Sequence, residues 1–164
     1  MRNIIVHGDG ACSGNPGVGG WASLLEYDGK NIVITGGSPD ATNNQMELAS
    51  LIATFDHIIK NKLVGKIILN FDSMYVLDGT SKWLNNWSKN GWKGSNKKPI
   101  KNKEMWQEVY NLRSQILKMG CTIEYVHVKG HSGHEYNEYV DQLAVGACEH
   151  TKGDLKPWVM ELNA

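Results

Sequence analysis

Apolar and polar positions follow two different periods along the chain, and each period predicts one kind of element. Over residues 3–12 the two classes alternate and β-branched side chains are frequent, which is typical of a strand. A GNPG turn separates this segment from two more strand-like segments at residues 21–27 and 31–36, which a DG turn joins. These three segments predict an antiparallel meander.

The period then changes to that of a helix. Four apolar residues share one helical face: Leu48, Ile52, Phe55 and Ile59. Asn43 and Asn44 stand where this helix needs an N-cap. We therefore expect a long amphipathic helix directly after the meander.

The rest of the chain alternates between short apolar runs and helical patterns. In chain order, the predicted elements are a strand at Lys66–Phe71, helices at about 73–79, 81–89 and 101–119, a strand at 122–128 and a helix at about 137–150. Gly120 ends the third of these helices. Three antiparallel strands followed by β-α-β crossovers predict an α/β fold (α+β mixed), with a five-stranded mixed sheet flanked by helices.

Length and composition restrict the class of protein. We expect one domain over residues 1–164, with 152–164 as a C-terminal tail, and a monomer. No apolar run approaches the ~20 residues that cross a bilayer, so no membrane association is expected. The cysteines Cys12, Cys121 and Cys148 are widely spaced and form no CxxC pair. This spacing favours reduced thiols in the cytoplasm over a disulfide framework or a zinc site.

The net charge of zero hides a local asymmetry. Residues 82–103 contain seven lysines and no acid, so the rest of the chain is net acidic. Such a basic stripe, interleaved with Trp83, Trp87 and Trp92, is typical of a nucleic-acid-binding surface. Lysine-rich helices are also common as solvated faces, and charge alone does not separate these interpretations.

Four acidic residues stand at unusual positions. Asp9 interrupts an apolar strand, Asp72 follows the carboxyl end of another, and Glu47 and Asp141 lie near helix starts. If they converge, multivalent cations must neutralise them. Carboxylate oxygens suit Mg²⁺ or Mn²⁺ better than zinc.

Each of these acids also has an ordinary structural interpretation. Glu47 is spaced to complete a capping box with Asn44. Asp72 is placed to cap the short helix after it, and Asp141 to complement a helix dipole. Only Asp9 is hard to explain in this way, because unpaired acids are rarely buried in strands. Spacing alone leaves both interpretations open.

Several segments resemble one known family when they are taken together. They are HGDGACSGNPG at 7–17, TNNQMEL at 42–48, DSMYV at 72–76, KGHSGH at 129–134 and DQLA at 141–144. In their order and spacing they resemble type 1 ribonuclease H, which cuts the RNA strand of RNA–DNA hybrids. Residues 83–106 are similar to its bacterial form. The resemblance implies a ribonuclease H-like fold and a hybrid duplex as partner, with no organic cofactor.

The resemblance also implies roles for individual residues. Asp9, Glu47, Asp72 and Asp141 would be the catalytic carboxylates and would hold two Mg²⁺ ions, with Mn²⁺ as the alternative. The products would carry 5′-phosphate and 3′-hydroxyl ends. His131 would be the mobile-loop histidine that moves protons or helps product leave; the alternative is a loop histidine without a proton role. His134 would be structural.

Substrate contacts are expected on both strands. Candidates near the RNA 2′-hydroxyl are Glu47, Asn15, Asn43, Gln45 and the backbone at Cys12. Candidates on the DNA strand are Thr42 and Asn102 at a phosphate, Trp83 near the sugars, and the lysines Lys97 and Lys98. Residues 82–103 would form the basic protrusion that grips the hybrid. Trp87 and Trp92 would fix that protrusion to the core.

The sequence departs from the family pattern at three places. Gly8 replaces a usual Thr, which we expect to loosen the first strand. Asp40 replaces a basic residue near the DNA strand, and Glu135-Tyr136 replaces a Pro-Glu pair. Two rival functions share the fold: a catalytically silent hybrid-binding module, and another nuclease such as a transposase or junction resolvase.

Overall fold

A six-stranded sheet and four α-helices make up the part of the chain that the structure describes. The structure is a computed structural model, and it describes residues 2–129, residue 144 and the strand at residues 158–162. The strands are β1 (Asn3–Gly14), β2 (Gly17–Tyr27), β3 (Lys30–Ala41), β4 (Lys66–Phe71), β5 (Thr122–His127) and β6 (Trp158–Leu162). The helices are α1 (Asn43–Lys60), α2 (Met74–Asp78), α3 (Leu84–Asn90) and α4 (Lys103–Lys118), with a π-helical segment at Gly79–Trp83.

The strand order is β5-β4-β1-β2-β3-β6. β1, β2 and β3 form an antiparallel meander, whereas β4 pairs with β1 and with β5 in parallel. The predicted mixed sheet of five strands, with its three antiparallel strands first, is therefore confirmed. The central position of β1 gives it neighbours on both sides.

The sixth strand was not predicted. β6 lies within the segment expected to be a tail, and it pairs antiparallel with β3 from Asn31↔Leu162 to Thr35↔Trp158. A five-residue strand gives too short an alternation to stand out, and its partner is more than 120 residues away in the sequence. Of the helix expected at 137–150, only Ala144 is among the described residues, where it is helical and buried.

Helices α1 and α4 cover one face of the sheet. Phe55 of α1 and Trp106 of α4 are fully buried, in one cluster with residues from β1 and β4 such as Val6 and Leu69. Burying large side chains of this kind stabilises the fold by about 1.5–3 kcal/mol each. On the opposite face, Ala144 packs with residues of β2 and β3. Ala144 thus belongs to a second, smaller group of buried residues on that face.

The N-cap of α1 is Thr42, so the prediction of Asn43 or Asn44 is wrong. Thr42 Oγ1 accepts a hydrogen bond from Gln45 N at 3.2 Å, and Thr42 N donates to Gln45 Oε1 at 3.0 Å. Thr42 has the extended backbone that an N-cap requires, and its partner lies at the third helical position. The two asparagines follow the cap and remain exposed.

The helices between β4 and α4 differ in detail from the prediction. The expected helix at 81–89 is divided into a π-helical segment and α3, which ends at Gly91 in a left-handed conformation (φ 78°). The helix expected from 101 begins at Lys103, after Asn102, which is also left-handed (φ 57°). These two residues bound the loop that carries most of the lysine-rich segment.

Candidate active site

Two of the predicted carboxylates lie side by side because their strands are parallel neighbours. In the register of β1 and β4, Gly8 is opposite Phe71. Asp9 follows Gly8 and Asp72 follows Phe71, so the two aspartates occupy adjacent positions, one on β1 and the other directly after β4. Parallel strands end at one edge of a sheet, where α/β proteins place their ligands.

The third carboxylate, Glu47, reaches this edge because α1 lies against the backbone of β1 at Gly10. A Cβ atom at Gly10 would lie 2.5 Å from the backbone nitrogen of Glu47 and 2.5 Å from the carbonyl carbon of Met46. Only glycine allows this approach, since a side chain would collide with the helix backbone. Gly10 therefore brings the first turn of α1 next to Asp9.

The Glu47 carboxyl responds strongly to this environment. Burial raises its pKa well above 4.5, and the neighbouring charge of Asp9 raises it further. A hydrogen bond from the protonated Glu47 carboxyl to Asp9 acts in the same direction, while the backbone N–H of Gly10 partly opposes it and Asp72 adds a smaller rise. Glu47 Oε2 is buried and has no hydrogen-bond partner among the described residues. The acids of this site therefore repel one another at close range.

The alternative roles for Glu47 and Asp72 are excluded by the helix caps. The capping box of α1 consists of Thr42 and Gln45, so Glu47 has no part in it. The N-cap of α2 is Ser73, whose Oγ accepts from Val76 N at 3.2 Å. Asp72 is therefore not needed to cap that helix.

His127 at the end of β5 also borders the site. Its Nε2 lies 3.1 Å from the carbonyl oxygen of Asp72 and 3.9 Å from Asp72 Oδ1. The sequence spacing of His127 suggests no ligand role and predicts only a surface or packing residue. The signal that identifies it is the parallel register, in which His127 pairs with Phe71. Met74, 45% exposed two residues after Asp72, was likewise not selected from the sequence.

Gly8 does not loosen β1, contrary to the expectation. The strand continues through it, pairing with Ser23 on one side and Phe71 on the other. A Cβ atom at Gly8 would lie 2.4 Å from Cζ of Phe71. The missing side chain is thus matched by the Phe71 ring, which occupies its space.

A polar groove lies beside the carboxylates. Its volume is about 490 Å³, and its lining residues are Asn15, Thr42, Asn43, Asn44, Lys101 and Asn102. Asn15 Oδ1 accepts from Asn43 N at 3.2 Å, which ties the GNPG turn to the start of α1. Among the described residues, no acid lines the groove and Lys101 is the charged residue that does. Neutral amides with one cation suit an anionic ligand.

Gln45 and Cys12 lie at the edges of this region. Gln45 Nε2 donates to Asn102 Oδ1 at 3.2 Å, connecting α1 to the residue before α4. Cys12 is half-buried on β1, and its Sγ donates to the carbonyl oxygen of Ala41 at 3.4 Å. The structure thus groups most of the predicted substrate contacts around one groove.

The tryptophans of the basic segment have different environments. Trp83 is 40% exposed, whereas Trp87 contacts the buried Trp106 with ring centroids 5.3 Å apart. Trp92 packs edge-on against Tyr110 at 5.8 Å. Trp83 also contacts Trp87 at 5.8 Å. Trp87 and Trp92 thus pack against the core as expected, whereas the place of Trp83 near the DNA sugars stays a prediction.

Lys97 and Lys98 lie at an exposed loop tip. Gly94 N donates to Lys98 O at 2.9 Å, and Lys97 N donates to Gly94 O at 3.0 Å. Ile100 N closes the base of the loop on Trp92 O at 3.1 Å. Both lysine side chains are exposed and far along the chain from the acids. The loop therefore presents two positive charges to solvent.

The remaining predicted residues fall outside the described part of the chain. They are His131, His134, Glu135, Tyr136 and Asp141. Within the described residues, no group of three or more His, Cys, Asp and Glu side chains is arranged so that it could hold a metal ion. No helix within the same residues combines the length and apolarity that crossing a membrane requires.

Comparisons with known proteins agree with one another. The ribonuclease H family model matches residues 1–149. A ribonuclease H from Maricaulis maris is 42% identical over 153 residues, covering 93% of this chain and 98% of that protein. The crystal structure of LC9-RNase H1, a type 1 RNase H with the type 2 active-site motif, is similar at 32% identity and a TM-score of 0.79, covering 92% of this chain and 74% of the other.

A second solved structure, LC11-RNase H1 in complex with RNA/DNA hybrid, shares the fold at 20% identity and a TM-score of 0.67, covering 92% of this chain and 99% of the other. The range that the family model matches contains the positions of all four predicted carboxylates, Asp9, Glu47, Asp72 and Asp141. With most of its length matched at this level, the chain belongs to the ribonuclease H family of enzymes, in its type 1 form.

Proposed function

We propose that this protein hydrolyses the RNA strand of RNA–DNA hybrids and leaves 5′-phosphate and 3′-hydroxyl ends. The observation that carries the proposal is the convergence of Asp9, Glu47 and Asp72 at one edge of the sheet. Water would attack the phosphorus, and the bond from phosphorus to the 3′-oxygen would break. The hybrid-bound relative with this fold supports the choice of substrate.

The carboxylates present fit divalent cations of the Mg²⁺ class. All of the candidate donor atoms are hard carboxylate oxygens, and Glu47 Oε2 is buried without a hydrogen-bond partner among the described residues. Asp9, Glu47 and Asp72 supply part of a ligand set, and we propose Asp141 as the fourth ligand and two ions in total. Cations bound there would lower the pKa of water and stabilise the leaving oxygen.

The chain's own residues would prepare this site for a cation. With no cation, burial and the neighbouring charge of Asp9 favour a proton on the Glu47 carboxyl, because both raise its pKa. Binding a cation would release that proton. Asp72 has a 51% exposed side chain beside His127, so it would be the carboxylate nearest to incoming substrate.

The two strands of the hybrid would be contacted by different residues. Glu47, Asn15, Asn43, Gln45 and the backbone at Cys12 are proposed to read the RNA sugar, whose 2′-hydroxyl distinguishes it from DNA. Thr42 and Asn102 are proposed to hold a DNA phosphate in the polar groove. Trp83, Lys97 and Lys98 would contact the DNA strand further along.

The remaining parts of the proposal concern the whole protein. His131 would transfer protons or assist product release. We propose a single domain acting as a monomer in the cytoplasm, where thiols such as Cys12 and Cys121 remain reduced. No organic cofactor is needed for this hydrolysis.

Asp72→Asn tests the proposal directly. A labelled RNA–DNA hybrid is incubated with Mg²⁺, with RNA–RNA and DNA–DNA duplexes as controls, and hybrid binding is measured separately without divalent ions. We expect cleavage to fall by about 10³-fold or more while the Kd changes little, since the side chain keeps its shape and loses only its charge. Asp56→Asn, which alters an exposed ion pair with Lys60, is the matched control and should cleave normally.

Three results would count against this function. Undiminished turnover by Asp72→Asn would remove that residue from the reaction. Cleavage by the unaltered protein after complete chelation of divalent ions would remove the metal from it. Tight hybrid binding without any cleavage under all conditions would favour the silent binding module instead.

A further inference from the structure

We propose that Tyr75 is a positioning residue that fixes the orientation of the Asn102 side-chain amide toward the DNA strand. The inference rests on the proposed function of the polar groove and concerns a residue outside the groove itself. Tyr75 is half-buried on α2, three residues after Asp72. It connects the groove to the core through a chain of hydrogen bonds.

The Tyr75 hydroxyl accepts two hydrogen bonds. One comes from Trp106 Nε1 at 2.8 Å, and the other comes from Asn102 Nδ2 at 3.1 Å. The Tyr75 and Trp106 rings also contact each other edge-on, with centroids 5.4 Å apart. Because Trp106 is fully buried, the hydroxyl is held at a fixed point of the core.

Asn102 depends on these contacts for its orientation. It precedes α4 in a left-handed conformation, and its side chain makes no capping hydrogen bond to that helix. Its amide is instead held from both sides. Nδ2 donates to Tyr75, and Oδ1 accepts from Gln45 Nε2 at 3.2 Å. The Asn102 side chain is therefore held by these two hydrogen bonds and does not cap α4.

The direction of the network is set by two groups that can only donate. The backbone N–H of Thr42 donates to Gln45 Oε1 at 3.0 Å, which turns the Gln45 amino group toward Asn102. That amino group requires Asn102 to present Oδ1, and so Nδ2 faces Tyr75. At the other end, the indole N–H of Trp106 requires Tyr75 to act as an acceptor.

This fixed direction has a consequence for an anionic ligand. An amide nitrogen carries two hydrogens, and only one of them is given to Tyr75. The other is available to a phosphate oxygen in the groove. A reversed amide would present its oxygen to the phosphate and repel it. Tyr75 would thus favour phosphate binding without touching the substrate.

Tyr75→Phe is the first test, because it removes the hydroxyl and keeps the ring against Trp106. We expect KM for the hybrid to rise about three- to ten-fold, the range that one lost hydrogen bond gives, while kcat stays within about two-fold. Tyr27→Phe is the matched control. It removes a hydroxyl that contacts His57 Nε2 at 3.2 Å, away from the groove, and should change neither constant.

A double-mutant cycle separates positioning from general stability. Asn102→Gly removes the amide and tolerates the left-handed backbone at this position. In the Asn102→Gly background, Tyr75→Phe should raise KM no further, because its effect passes through the missing amide. Gln45→Met provides a second route, since it releases Asn102 from the other side and leaves the Trp106–Tyr75 bond intact. We expect a rise in KM at least as large from it, because Gln45 is also proposed to contact the RNA sugar and is part of the capping box of α1.

Neutralising single phosphates of the DNA strand gives a measurement that a purely structural role of Tyr75 would leave unchanged. Replacing single DNA-strand phosphates by methylphosphonate should identify one position that raises KM for the unaltered protein. For Tyr75→Phe, that position should lose most of its effect.

The outcomes distinguish this inference from the function on which it rests. An unchanged KM in Tyr75→Phe, a fall in kcat alone, or an equal effect with and without Asn102 would overturn the positioning role while leaving the nuclease proposal intact. An unaltered protein that neither binds nor cuts the hybrid would overturn both.

Discussion

At the scale of single residues, Glu47 has a carboxyl whose titration departs strongly from that of the free amino acid. Its carboxyl is buried beside Asp9, and this raises its pKa well above 4.5. In the unfolded chain the same carboxyl would titrate normally. Above the unfolded pKa, the unfolded state therefore loses a proton that the folded state retains. The metal-free protein should lose stability as the pH rises through that interval.

Glu47→Gln should remove this pH dependence. In the presence of chelator, we expect the free energy of unfolding of the unaltered protein to fall as pH is raised from about 4.5 toward neutral, and to stay flatter in the variant. At neutral pH the variant should be the more stable of the two, because it has no charge to bury. Urea unfolding across this pH range measures the effect. A variant with the same pH slope as the unaltered protein would show that Glu47 is not the titrating group.

Some of the candidate site residues could be predicted from the sequence, and others could not. Asp9 stood out because an acid inside an apolar strand has no local explanation. The role of His127 did not stand out, because it depends on the pairing of β5 with β4, in which its partner Phe71 lies 56 positions earlier. The packing of the Phe71 ring into the space beside Gly8 could not be predicted for the same reason. Contacts between strands depend on how the strands are aligned with each other. The local sequence pattern of one strand does not give that alignment.

At the scale of elements, Arg113 determines how α3 is attached to the core. It is buried on α4, where its Nη1 donates to the carbonyl oxygen of Thr80 at 2.6 Å and its Nη2 donates to Asn85 Oδ1 at 2.5 Å. One guanidinium therefore joins α4 to both the π-helical segment and α3. Burial raises the pKa of the neighbouring Tyr125, and Arg113 partly opposes that rise.

Replacing Arg113 should loosen this attachment. Arg113→Met leaves the buried carbonyl oxygen of Thr80 without its donor and removes the hydrogen bond to the exposed Asn85, so we expect the free energy of unfolding to fall by about 1–3 kcal/mol. Because α3 lies between Trp83 and the lysine loop, KM for the hybrid should rise as well. Arg113→Lys, which keeps the charge but not the two-pronged geometry, should recover part of both losses. Chemical denaturation and steady-state kinetics check this, and a fully stable Arg113→Met with normal KM would contradict it.

The elements themselves were largely predictable where the pattern was local. The meander, β4, β5 and the two long helices follow from periodicity and turn residues. The cap of α1 was misplaced by one residue because Thr, Asn and Asn in succession are all good caps, and the choice depends on backbone geometry. The strand β6 depended on pairing with a distant edge of the sheet.

At the scale of the whole molecule, charge is separated between the acids at the sheet edge and the lysines beyond α3. Asp40 interrupts this separation. It is exposed near the end of β3, two residues before Thr42 of the polar groove. A negative charge there should oppose a DNA phosphate, although it lies outside the carboxylate cluster.

Asp40→Lys should therefore improve hybrid binding. We expect KM to fall about two- to five-fold at low salt, and the plot of log KM against log salt to steepen by about one phosphate contact. Asp56→Lys makes the same change of charge on α1 and serves as the control. Kinetics at several salt concentrations measure both variants. An unchanged slope in Asp40→Lys would place this residue away from the bound duplex.

The pairing of β6 with β3 also affects how the protein behaves toward copies of itself. An open strand edge offers a row of backbone donors and acceptors on which another chain can add a strand. Residues 31–35 of β3 make those bonds within the molecule, to residues 158–162. β6 therefore occupies this strand edge within the molecule. A chain shortened to residue 157 would keep its carboxylates but leave β3 open to pairing with a strand of another copy.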